Sequence, residues 1–144
     1  GLRLGYLAIC PDMPQEARDE LRKLAMSVQV SLGWAFPDAL AQDAVADLEA
    51  DSIDIENFQR KRDRVLGALT QWGYNLTNPA GTFYVWGKAP GGDAAAFTRR
   101  LAEHGVYVMP GTLFERPQEF RISLTGSNEM IEASLPAFEA MAPS

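Results

Sequence analysis

The 144-residue chain carries 13 Lys and Arg against 19 Asp and Glu, a net charge of −6 with no run of Lys or Arg that stands out, which argues against nucleic acid as a partner. Its 47% hydrophobic content suits a soluble globular domain large enough to bury a core, and every apolar run is too short to span a membrane. The single cysteine, Cys10, excludes an internal disulfide and is consistent with a reducing cytoplasm.

Residues 2–10 read as a buried strand interrupted by Gly5, which marks either a bulge or the close approach of a ligand or a second backbone. The chain opens on this strand with no methionine and no lead-in, so it reads as part of a longer protein. Pro11 ends the strand. Asp12 and Gln15 resemble a capping pair and Pro14 suits a first helical turn. A helix is therefore expected to run to Leu32, with Ala17, Leu21, Leu24, Ala25, Val28 and Leu32 as its apolar stripe and Gly33 as its stop. Trp34 and Phe36 read as aromatic core plugs rather than ligand stackers. Pro37 opens a second helix to about residue 50, with Leu40, Ala44, Val45 and Leu48 turned inward. A third helix covers residues 55–72, its stripe being Ile55, Phe58, Val65, Leu66, Leu69 and Trp72, with Gly73 in the left-handed position that follows. Arg60, Lys61, Arg62 and Arg64, interleaved with Asp63, read as a solvated face of that helix.

Residues 81–86, Gly-Thr-Phe-Tyr-Val-Trp, are aromatic and β-rich and predict a strand; residues 88–92 predict a turn. Asp93 caps a helix over residues 94–104 with Phe97 and Leu101 inward, and Gly105 closes it. A short strand over residues 106–109 leads to a Pro110-Gly111 turn and a loop through Phe114. In the next strand, residues 120–124, Phe120, Ile122 and Leu124 point one way while Arg121 and Ser123 point the other. Ser127 caps a final helix with Ile131, Leu135 and Phe138 inward, which Pro136 is expected to kink or shorten. The three strands after residue 80 are expected to share one sheet covered by helices, an α/β class with a small α+β domain.

Chemistry is sparse. His104 sits at a helix end, where it favours the dipole; there is no Cys/His metal cluster and no phosphate-binding glycine loop. Arg3 and Arg121 remain, each in a strand-and-glycine setting. Either arginine is an ordinary surface charge or it holds an anion through two parallel N–H···O bonds; together they suit a ligand with two anionic ends.

In order along the chain, residues 1–6, Phe58 with Arg62-Asp63, Leu69 and Gly73, residues 81–85, the Val106-to-Phe114 loop and Phe120-Arg121-Ile122-Ser123 resemble the C-terminal part of the class I/II aminotransferases, pyridoxal-phosphate enzymes of fold type I. The resemblance implies an incomplete end of a large cofactor domain at residues 1–12, a helical connector including the long interdomain helix at residues 13–80, and a small α+β domain at residues 81–144. It implies that Arg3 grips the phosphate of pyridoxal 5'-phosphate, that Arg121 grips the substrate's α-carboxylate, and that Gly111 and Phe114 line the mouth of the site. It also implies amino acid and 2-oxo acid substrates, a homodimer, a cytoplasmic setting, and a cofactor-bearing lysine that would lie just before Gly1. Lys23, Lys61 and Lys88 do not replace that lysine: the first two are expected on polar helix faces and the third in a turn. The chain alone is therefore expected not to transaminate. A lyase or synthase on the same scaffold, a non-catalytic sensing or dimerising domain of a regulator, and a free-standing interaction domain stay open as alternatives.

Overall fold

The computed structural model describes residues 4–34, 36–48 and 52–143. The chain divides into two compact units, Gly1–Ile53 and Asp54–Ser144.

In the first unit the described part of the expected opening strand, residues 4–10, is not a strand; residues 2 and 3 lie outside the described residues. Residues 4–10 pair with no ladder, because a strand exists only where another backbone takes its N–H and C=O groups, and no other strand of this unit offers them among the described residues. Helix α1, Gln15–Ser31, and helix α2, Ala39–Leu48, follow. Gly33 stops α1 at φ 77° as expected. The Asp12/Gln15 capping pair is absent: Pro14 is the N-cap without a side-chain bond, and the Gln15 amide donates to Asp19 at 3.0 Å instead. Asp38 caps α2, accepting from the Ala41 N–H at 2.7 Å. The large residues of the apolar stripes are exposed rather than inward, from 39% at Leu21 to 70% at Leu40, while Ala17, Ala25 and Ala44 are half-buried, and Trp34 and Phe36 are exposed rather than core plugs. Two helices and an extended segment do not present enough opposing surface to cover both stripes.

The second unit is built on helix α3, Ile55–Gln71, strand β1, Tyr84–Lys88, helix α4, Ala94–Glu103, strand β2, Met109–Pro110, strand β3, Glu119–Ser123, and helix α5, Asn128–Ala140. The three strands share one antiparallel sheet in the order β1-β3-β2, as expected of the small α+β unit. β1 starts three residues later than its aromatic run, since residues 81–83 bend with Thr82 at φ 68°, and β2 keeps only two residues of pairing. Asp93 caps α4 from its carboxylate to the Ala96 N–H at 2.9 Å, and Ser127 caps α5 through the Met130 N–H at 3.2 Å. α5 continues unbroken past Pro136, which deletes one helical rung without ending the helix.

The core lies on one face of the sheet. Val65 and Leu69 of α3, Phe97 and Leu101 of α4, Val85 of β1, Phe120 and Ile122 of β3, and Leu135 and Phe138 of α5 are all buried there. Ile55, assigned to the α3 stripe by its spacing, is exposed at the helix start. The Tyr74 ring stands among those of Phe97, Phe120 and Phe138, with centroids 6.0 to 6.2 Å away, and its hydroxyl donates to the Phe138 carbonyl at 2.8 Å. Gly87 is required beneath this cluster: a Cβ there would stand 2.8 Å from the Phe120 ring. Lys61 corrects its reading as a solvated residue. It is only 8% exposed, and its ammonium donates to the carbonyls of Leu124 and Gly126, which stands in for water around a buried charge.

Candidate functional site

The sheet face opposite the core carries the side chains that do not serve packing. Burial alternates along both long strands: Val85, Gly87, Phe120 and Ile122 are buried, while Tyr84, Trp86, Glu119 and Arg121 are half-buried. β3 is the central strand, so Arg121 lies directly opposite Trp86 of β1 on one side and Met109 of β2 on the other. Tyr84, paired with Ser123, is its diagonal neighbour, within reach of a long side chain.

These positions converge on the guanidinium. Its central carbon lies 4.0 Å from the Tyr84 ring centroid, 4.7 Å from that of Phe114 and 6.0 Å from that of Trp86. One amino group donates to the Met109 sulfur at 3.2 Å, a weak acceptor that leaves the positive charge uncompensated. Among the described residues Arg121 takes part in no salt bridge. Glu119, two residues along the same face, pairs with Arg116 at 3.2 Å, and the Arg116 guanidinium lies 5.2 Å from the Trp86 ring centroid. A half-buried guanidinium with aromatic faces against it and no internal counter-ion can accept an external carboxylate or phosphate by two parallel bonds.

Phe114 is thus brought to Arg121. Gly111 begins the short 3-10 turn Gly111–Phe114 and is buried in it. A Cβ there would run into the backbone carbonyls of Arg116 and Glu119, so this glycine lets the loop close beneath the site. The turn ends at Glu115, held at φ 59°. Arg3 lies outside the described residues. Sequence reasoning missed Tyr84, Trp86, Met109 and Arg116. The alternation of residues 84–86 places Tyr84 and Trp86 on one face, but nothing local says that this face meets Arg121. A larger groove bounded by Val106, Ile131 and Phe138 is lined by His104 but by no Arg or Lys, so it offers no guanidinium fork for a carboxylate.

Residues 1–138 match the family model for aminotransferase class I and II. The chain belongs to the class I and II aminotransferases. An LL-diaminopimelate aminotransferase of Nitratidesulfovibrio vulgaris is 43% identical to this chain over 82 residues, covering 54% of the chain and 21% of the relative. One of Dehalococcoides mccartyi is 33% identical over 123 residues, covering 78% and 32%. Among solved structures, an amino transferase of Eubacterium rectale superposes with a TM-score of 0.74 at 31% identity, covering 86% of this chain and 31% of that one. An aspartate aminotransferase of Thermotoga maritima superposes with a TM-score of 0.72 at 26% identity, covering 85% and 33%. The chain therefore spans between about a fifth and a third of the length of these relatives. Those structural likenesses agree with the small α+β sheet-and-helix unit described above.

Proposed function

We propose that this chain is the C-terminal portion of a pyridoxal-phosphate-dependent aminotransferase that moves an amino group between an amino acid and a 2-oxo acid. In this reading Arg121 holds the α-carboxylate that both substrates share. The observation that carries it is the Arg121 guanidinium itself, half-buried in a family-matched strand and unpaired with any carboxylate of the described residues. The names of the relatives, LL-diaminopimelate and aspartate aminotransferases, favour amino transfer over elimination, ring formation or a regulatory role.

Pyridoxal phosphate, when bound, supplies the electron-withdrawing ring on which amino transfer depends. The residues of this chain bind and orient. The described set fits the carboxylate end of a cofactor–substrate pair, and Arg3 is the proposed partner of the phosphate end. Phe114 shields the guanidinium from water, which strengthens its hold on a carboxylate. Gly111 keeps the Phe114 turn closed. Lys61 is committed to two backbone carbonyls, and Lys23 and Lys88 are exposed, so none is proposed as the cofactor-bearing residue. The 144-residue chain by itself is accordingly proposed not to transaminate, with that lysine supplied by the rest of the protein. Residues 1–12 are proposed to complete the larger domain, residues 13–80 to connect, and residues 81–144 to form the small domain of a cytoplasmic homodimer in amino acid metabolism.

The test is Arg121→Ala in the full-length protein that carries this chain. Losing a charge-assisted pair should raise KM for both amino acid and 2-oxo acid by on the order of tenfold or more. Unchanged KM values for both would remove the proposed role.

A further inference from the structure

We infer that Tyr84 is the positioning residue for Arg121: its ring face sets the plane of the guanidinium and so presents an N–H edge to an incoming carboxylate. This rests on the reading of Arg121 as a carboxylate holder.

A bidentate arginine–carboxylate pair requires the two planar groups to lie nearly coplanar, whereas a free arginine side chain samples many rotamers and loses that freedom on binding. A protein can orient an arginine beforehand with an internal carboxylate, but that group then competes with the ligand. The obvious candidate is Glu119, on the same face of the same strand. It is paired elsewhere, with Arg116 at 3.2 Å, and Arg116 in turn lies over Trp86 at 5.2 Å. The two guanidinium groups of this face are thus divided between two aromatic residues of β1. Trp86 stands closer to Arg116 than to Arg121, for which its distance is 6.0 Å, and Tyr84 takes Arg121 at 4.0 Å.

A π-face suits this task because it attracts the cation without using any N–H donor. The amino group that leans on the Met109 sulfur is only weakly engaged, so the fork keeps its capacity for an anion. Phe114 also touches the guanidinium, but it sits on a loop turn and is 42% exposed, whereas Tyr84 is fixed in a paired strand and backed by Phe83 at 4.5 Å between ring centroids. The rigid ring orients and the loop ring covers. Among the described residues the Tyr84 hydroxyl makes no hydrogen bond, so the face rather than the hydroxyl is the working part.

The experiment uses the full-length protein, with steady-state kinetics and with calorimetric titration of succinate, a non-reacting carboxylate. Tyr84→Leu should raise KM for amino acid and 2-oxo acid, and the succinate dissociation constant, by roughly 3- to 30-fold, with kcat at saturation changed by less than about twofold. Tyr84→Phe should stay within about twofold of the parent in every quantity, because it keeps the face. Phenylalanines of increasing ring fluorination at position 84 keep the shape but weaken the face, and should weaken succinate binding stepwise. A flat fluorination series overturns the inference even if the leucine variant does not fold, and so does a Tyr84→Phe variant as weak as Tyr84→Leu. Arg121→Ala in the same titration separates the two readings. If it leaves succinate binding intact, the carboxylate role of Arg121 fails; if it abolishes binding while the Tyr84 variants do not, only the role of Tyr84 fails.

Discussion

The buried ammonium of Lys61 donates a 2.6 Å hydrogen bond to the Gly126 carbonyl and a 3.4 Å bond to that of Leu124, with the Phe58 ring centroid 5.3 Å away. One side chain of α3 thereby ties down the turn that leaves β3, the strand of Arg121. Lys61→Ala leaves two carbonyls without their partner and opens a gap beside Phe58. The expected loss is about 2–3 kcal/mol of unfolding free energy in urea denaturation. A loss below about 0.5 kcal/mol, the range of ordinary surface substitutions, would mean the contact is dispensable.

Gly111→Ala tests the loop beneath the site. The added methyl meets backbone, not a side chain that can swing away. The turn must shift and take Phe114 with it, at a cost of about 1–3 kcal/mol. Thermal unfolding should show the destabilisation, and the full-length protein should bind carboxylates more weakly as Phe114 moves from Arg121. Wild-type stability together with wild-type affinity would contradict the clash.

Tyr74 gives the second unit an alkaline limit. Burial pushes its phenol up to about 12, against a weaker opposing pull from the positive charge of Arg100. Below the unfolded phenol value, about 10, the group is neutral in both states and its contribution to stability is whole. Between about 10 and about 12 the unfolded chain gives up the proton while the folded one keeps it, so stability falls as pH rises. Urea midpoints should therefore drop between pH 9 and pH 11.5. Tyr74→Phe should flatten that drop while losing about 1 kcal/mol at neutral pH with the hydrogen bond to Phe138. A pH slope that survives the substitution would place its origin elsewhere.

Arg116 keeps Glu119 occupied. Arg116→Ala frees a carboxylate two residues from Arg121 on one strand face, about 7 Å between Cα atoms by strand geometry. KM for the carboxylate substrates of the full-length protein should rise about two- to fivefold, an effect of the size that exposed ion pairs carry. Adding Glu119→Gln should restore it, as a double-mutant cycle would reveal. Equal KM values for the parent and Arg116→Ala would show that Glu119 does not compete.

What sequence alone determined is local. The caps Asp93 and Ser127 and the glycines at 33, 73 and 105, all at positive φ, are legible because each rests on a hydrogen bond or a dihedral angle within a few residues. The side of β3 on which Arg121 stands is legible too, since alternation along a strand is a property of that strand. The order of family-like segments was also readable from the sequence and agrees with the family match over residues 1–138. Tertiary structure alone decided which side chains share a space. Tyr84 reaches Arg121 because the β1–β3 register sets Tyr84 against Ser123, and a slip of one residue would turn Tyr84 toward the core. Lys61 is buried because α3 packs where the β3–α5 turn offers two carbonyls, a contact spanning more than sixty residues of chain. The helical stripes of the first unit stand open for the same reason in reverse. A periodic apolar face states what a helix can bury, and burial follows only where the fold sets an opposing surface against it.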